Sequence, residues 1–99
     1  MNLPLMIRQV RGASMEPSLP AGKYVFAIRR VRPKSGQIVI VLHNNVEKIK
    51  RINEVDGAHV FLLGDNPAES NDSRDFGLVL SNTIIATVIW PRRNLASSL

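Results

Sequence analysis

The chain has 99 residues, of which 44% are apolar and 21% charged, a globular composition at a length with room for one hydrophobic core and none for a two-domain enzyme. It has no cysteine, which removes disulfides, Cys-ligated zinc, iron–sulfur clusters and thiol nucleophiles, so any covalent chemistry must use oxygen or nitrogen. The net charge of +5 is lopsided, with seven bases against one acid over residues 1–46 and six against seven over 47–99; one face should be basic, but the five aromatics are too little interleaved with those bases for a nucleic-acid reading.

In chain order, the first apolar run, Leu3 to Ile7, is far below the ~20 residues that cross a bilayer and too short for the core of a signal peptide. Residues 1–9 are expected to form a flexible end, as are 94–99. No integral membrane segment is expected, and the location implied is cytoplasmic. Residues 11–22 read as a loop. Strands are predicted over 24–29, 37–43, 46–53, 58–63 and 83–90, each rich in Val, Ile and aromatic residues. Asn44-Asn45 tolerates the positive φ of a tight turn, so 37–53 should be a hairpin. Residues 64–77, polar and nearly free of aliphatics, read as a second loop. No stretch sustains a 3.6-residue period for three turns. The fold class expected is therefore mainly β: one small domain over 1–99, an antiparallel sheet or barrel, with its functional groups on the two loops.

Ser14 sits behind Gly12 and Ala13, small residues that let a substrate backbone approach its hydroxyl. Attack by a serine on an amide needs a base and oxyanion donors. The two histidines, His43 and His59, fall inside predicted strands with no acid placed to orient them, which leaves a Ser-His-Asp triad without support. Lysine is the remaining base. Val46, Lys48, Lys50 and Ile52 alternate onto one strand face, where the lysines are either solvated charges or, for one turned inward, an amine desolvated toward its neutral form. No metal or other cofactor is expected, because the histidines and carboxylates lack ligand spacing.

Three phrases stand in order: Gly12-Ala13-Ser14-Met15-Glu16-Pro17-Ser18-Leu19, then Ile49-Lys50-Arg51-Ile52, then Gly64-Asp65-Asn66 continuing through Ser70-Asn71-Asp72-Ser73-Arg74 to Gly77. Together they resemble the type I signal peptidase family of serine–lysine proteases across residues 10–91. The resemblance implies the β-rich catalytic core of that family, with Ser14 as nucleophile and Lys50 as general base. It also implies that Ser70 holds the lysine amine and that Asp72 and Arg74 pair to fix the loop carrying Ser70. The oxyanion donor would be the Ser14 N–H; some relatives add a hydroxyl two residues earlier, where this chain has Gly12.

Three departures from the family pattern stand out. Ser18 replaces a threonine, Ser35-Gly36-Gln37 lacks an acid, and only thirteen residues precede Ser14, too few for the membrane helices of typical members or for the DNA-binding module of self-cleaving repressors. Only 53–63 separates the second and third phrases, close to a minimal core. In these respects the chain resembles the small maturation proteases of nickel-type superoxide dismutase, which remove a propeptide to free an N-terminal histidine. The partner implied is a protein precursor bound as an extended peptide. The alternatives are a soluble signal peptidase-like protease with another client and, from another class, a non-catalytic peptide-binding β module.

Overall fold

The computed structural model describes residues 4–91. Seven strands form one antiparallel sheet: β1 (Leu5–Gln9), β2 (Tyr24–Ile28), β3 (Ile38–His43), β4 (Val46–Asp56), β5 (His59–Leu63), β6 (Val79–Leu80) and β7 (Ile84–Trp90). Their order is β1-β2-β7-β3-β4-β5-β6. A 3-10 turn at Pro67–Glu69 and the one-turn helix α1 (Ser73–Phe76) lie in the connection from β5 to β6. The fold is mainly β, as the sequence pattern predicts. Among the described residues no helix is long and apolar enough to cross a membrane.

Alternation explains how the buried apolar residues of one sheet divide into two clusters, one on each face. Ile38 and Ile40 point to one side with Met6, Val10, Val25, Ala27, Ala86 and Val88, while Val39 and Val41 point to the other with Ile52, Val60 and Leu62. Central strands buried on both faces need such continuous apolar runs, and Ile38-Val39-Ile40-Val41 is one. The hairpin of β3 and β4 closes at Asn44 and Asn45, with φ of 52° and 64°, the left-handed pair that a two-residue turn between twisted strands requires.

Three expectations are corrected. Residues 5–9, expected in a flexible end, form β1, paired in register with β2 from Leu5↔Ile28 to Gln9↔Tyr24; Met6 is buried and anchors the strand. β4 runs three residues past the predicted end because a register shift between Ile52 and Glu54 absorbs Asn53 and pairing resumes to Asp56↔His59. Residues 64–77 are not all loop, since Asp72 caps α1. The expected flexible end at 94–99 lies outside the described residues.

Candidate active site

The loop after β1 presents Ser14 because its base and flanks are fastened. Val10 and Lys23 close the base, with Val10 N–H donating to the Lys23 carbonyl at 2.7 Å. Met15 and Leu19 are fully buried anchors, and their burial leaves the half-buried Ser14 between them and the cleft. Gly12 has φ +72°, a left-handed conformation that other residues adopt only with strain. Its position lines the cleft without a side chain, so no hydroxyl donor comes from there.

Lys50 lies on β4 opposite Val39 and is only 4% exposed. Of the two lysines on that face, it is the one turned inward. Lys48 is half-buried and sits beside the ring pair His43–Phe76, its Nζ 3.3 Å from His43 Nδ1 and 5.3 Å from the Phe76 centroid. Burial pushes the Lys50 amine below its ordinary pKa; the nearby Asp72 charge opposes this, and Lys48 and Arg74 add to it.

Lys50 Nζ donates to Ser70 Oγ at 3.0 Å, and Ser70 Oγ donates in turn to Asp72 Oδ2 at 2.8 Å. The direction follows from the inventory: a hydroxyl has one proton and two lone pairs, and an ionised Asp72 can only accept. Ser70 has therefore spent its proton and offers Lys50 a lone pair.

Asp72 is completely buried. Burial alone would raise its pKa, but hydrogen bonds from Arg74, the Gly64 N–H and Ser70 outweigh it and hold the carboxyl well below the usual carboxylate range. The Gly64 N–H lies 2.7 Å from Oδ2 and Arg74 Nε 3.0 Å from Oδ1. Asp72 also accepts from the Arg74 N–H, while Asp75 accepts from the Asp72 N–H, a reciprocal cap on α1.

The two loops are tied together across the site. Asn66 N–H donates to the Ser14 carbonyl at 2.8 Å and its side-chain amide to the Ala13 carbonyl at 3.0 Å. Arg51, on the β4 face opposite Lys50, grips Asp65 with two hydrogen bonds of 2.9 and 2.8 Å and donates to the Gly36 carbonyl at 2.8 Å. Burial would raise the Asp65 pKa, but Arg51 and a hydrogen bond from Ser18 lower it. Ser18, in the threonine position of the first phrase, thus fastens the Ser14 loop to Asp65.

A cleft of about 610 Å³ runs between the β1 end and β4, with Gly12, Ser14 and Lys50 on its wall and Glu69 and Asn71 at its rim. Ser14 and Lys50 share it; no hydrogen bond joins Ser14 Oγ to Lys50 Nζ among the described residues. His43 and His59 are not among the residues lining it. Among the described residues no three His, Asp or Glu gather as a metal site.

Of the six residues singled out from sequence, Gly12, Ser14 and Lys50 line one cleft, and Ser70, Asp72 and Arg74 follow Lys50 in a chain of hydrogen bonds. The geometry adds Gly64, Asp65, Asn66, Arg51 and Ser18, all of which stand inside the quoted phrases without a role read for them there. Such a site offers a hydroxyl and a desolvated amine to one cleft, the requirements for acyl transfer without histidine. A family profile described as Peptidase S24-like matches residues 3–89. The chain belongs to that family, one of serine peptidases, and its β fold agrees with the assignment. A search among curated proteins returned no match.

Proposed function

We propose that the chain is a serine endopeptidase of the signal peptidase-like type, with Ser14 as nucleophile and Lys50 as general base. The observation that carries this reading is a buried lysine amine held on a hydroxyl, in the same cleft as a serine that follows two small residues. In its neutral form the amine has two N–H groups and one lone pair. One N–H is directed to Ser70, and the lone pair remains for the Ser14 proton.

Ser14 Oγ attacks the scissile carbonyl carbon as its proton passes to Lys50 Nζ, and the oxyanion forms beside the Ser14 N–H. Collapse breaks the C–N bond, and Lys50 returns the proton to the leaving amine. Water then hydrolyses the acyl-enzyme with Lys50 again as base. The resemblance to signal peptidases implies small side chains just before the scissile bond. Asp72 and Arg74 act through Ser70 as positioning residues.

The client class is a precursor protein that loses an N-terminal leader or propeptide. Resemblance names nickel-type superoxide dismutase, supported by the tight Gly57-Ala58 turn that joins β4 to β5 with nothing inserted. Incubation with candidate precursors, read by intact mass, tests it. Cleavage is expected for the native chain and none for Ser14→Ala, Lys50→Ala or Lys50→Arg, whose guanidinium stays protonated. Substantial cleavage by a folded Ser14→Ala variant would sink the mechanism. Cutting of the chain itself in place of any precursor would reassign the site to self-processing.

A further inference from the structure

Arg8 and Glu47 are 39 residues apart in sequence, and β2, β7 and β3 stand between their strands in the sheet. Their side chains nevertheless meet: Arg8 Nε donates to Glu47 Oε1 at 2.7 Å and Nη2 to Oε2 at 3.1 Å. The sheet curls until β1 comes back over β4, and this ion pair spans the opening. Both residues line the cleft that holds Ser14 and Lys50. Their side chains are 40% and 39% exposed, and a pair so exposed contributes little to folding, so a bound ligand can displace it at small cost.

Two features define what would displace it. Position is the first. Glu47 lies three residues before Lys50, or about 10 Å along an extended strand, so a substrate running alongside β4 brings its third or fourth residue from the scissile bond to the pair. Charge is the second. The Glu47 carboxylate is paired with Arg8 and also lies in the weaker, longer-range field of Arg29, and the exposed Arg11 lines the same cleft. An incoming carboxylate can take Arg8 while the half-exposed Glu47 turns to solvent within the field of Arg29. An incoming ammonium would compete with Arg8 for Glu47 and leave Arg8 unpaired.

We propose that Arg8 is a specificity-determining residue that exchanges Glu47 for a substrate carboxylate three or four residues from the scissile bond, so that the enzyme selects precursors acidic at that position. This rests on the reading of Ser14 and Lys50 as the cleaving groups.

The test is a set of peptides spanning a cleaved site, with Asp, Asn or Lys placed in turn at the second to fifth positions on either side of the bond. The kcat/KM ratio of Asp to Lys is measured for the native chain, Arg8→Gln, Arg8→Lys and Glu47→Gln. The same ratio is measured as binding to Ser14→Ala, which reads the preference even where no bond is cut. The expected result is a preference of about threefold to tenfold for Asp at one such position, on the scale of a partly exposed charge pair. It should be lost in Arg8→Gln, retained in part in Arg8→Lys, increased in Glu47→Gln and weakened by salt. Charge preference in binding without any cleavage would uphold Arg8 and overturn the serine–lysine reading. Cleavage with a ratio near one at every position, or with a ratio unchanged in folded Arg8→Gln, would overturn the role of Arg8.

Discussion

Gly64 and Ser70 pack so closely that a Cβ on Gly64 would lie 2.1 Å from Ser70 Oγ and 2.7 Å from Ser70 Cβ, with the Ser14 carbonyl oxygen at 2.8 Å. Nothing there can yield cheaply. Ser70 holds Lys50, the Ser14 carbonyl is tied to Asn66, and the Gly64 N–H is committed to Asp72. The glycine is required by this close approach; its φ is not in the left-handed region.

Gly64→Ala should therefore displace Ser70 from Lys50. A loss of about 100-fold in kcat is expected, the scale of misplacing a positioning group by about 1 Å, with about 1–3 kcal/mol of stability lost to overpacking. Turnover and urea unfolding of the same preparation check it. Native turnover in a destabilised variant would show that Ser70 has no part in positioning the amine.

Asp72 should make the fold sensitive to acid. Its pKa is depressed in the folded state, so as pH falls the unfolded chain takes up a proton first. The stabilisation is full above the unfolded value of ~3.9 and is lost as pH falls below that value toward the folded one. Replacing Asp72 by Ala leaves the Gly64 N–H without its acceptor and removes a helix cap, for a combined cost of about 2–4 kcal/mol at neutral pH. The gap in urea midpoint between native chain and variant should narrow from pH 7 to pH 3 without closing, because the folded carboxyl is still ionised at pH 3. A constant gap would mean that the carboxylate charge is irrelevant to stability.

How much of this was legible in the sequence depended on whether the cause was local. Asn44-Asn45 announced the β3–β4 turn because two left-handed residues in succession need such side chains. Alternation placed Lys50 on a face with Ile52, but only the packed sheet decided that Lys50 and not Lys48 turned inward. β1 is not legible locally because its apolar run, Leu5 to Ile7, is short and near the start of the chain, and its pairing partner lies across the Ser14 loop. The role of Gly64 depends on distances to residues six and fifty positions away. Arg8 and Glu47, meeting across a curled sheet, left no local signal at all.

Lys50 should cost stability for the sake of reactivity. Burial places its folded-state pKa below the unfolded value, so the unfolded chain holds the proton more firmly. Stability should rise with pH from the folded-state value up to ~10.4 and be lowest where the amine must be buried charged. Lys50→Met, similar in shape and without charge, should be inactive yet more stable than the native chain at neutral pH, and flatter in its pH dependence. Thermal midpoints measured from pH 6 to 10 decide it; a Lys50→Met variant less stable throughout would mean that the charged amine is a net stabiliser through Ser70 and Asp72.

The last prediction separates a base from a bystander through the hydrogen bond between Lys50 and Ser70. If the neutral amine is the reactive form, kcat/KM rises with pH as Lys50 loses its proton and levels off above its folded-state pKa. Ser70 Oγ accepts from Lys50, a contact that favours the ammonium over the amine because a charged donor gains more from it. Ser70→Ala should therefore do two things: lower the plateau by ~10 to 1,000-fold, because the amine is no longer aimed, and move the midpoint of the rise to lower pH. A purely structural role for Ser70 would lower the plateau and leave the midpoint in place. The measurement is kcat/KM from pH 5 to 10 for both proteins on one peptide, with circular dichroism confirming the fold at each end. A rate that falls with rising pH in the native chain would mean that the ammonium is the working form, and that the Ser14 proton goes to some group other than Lys50.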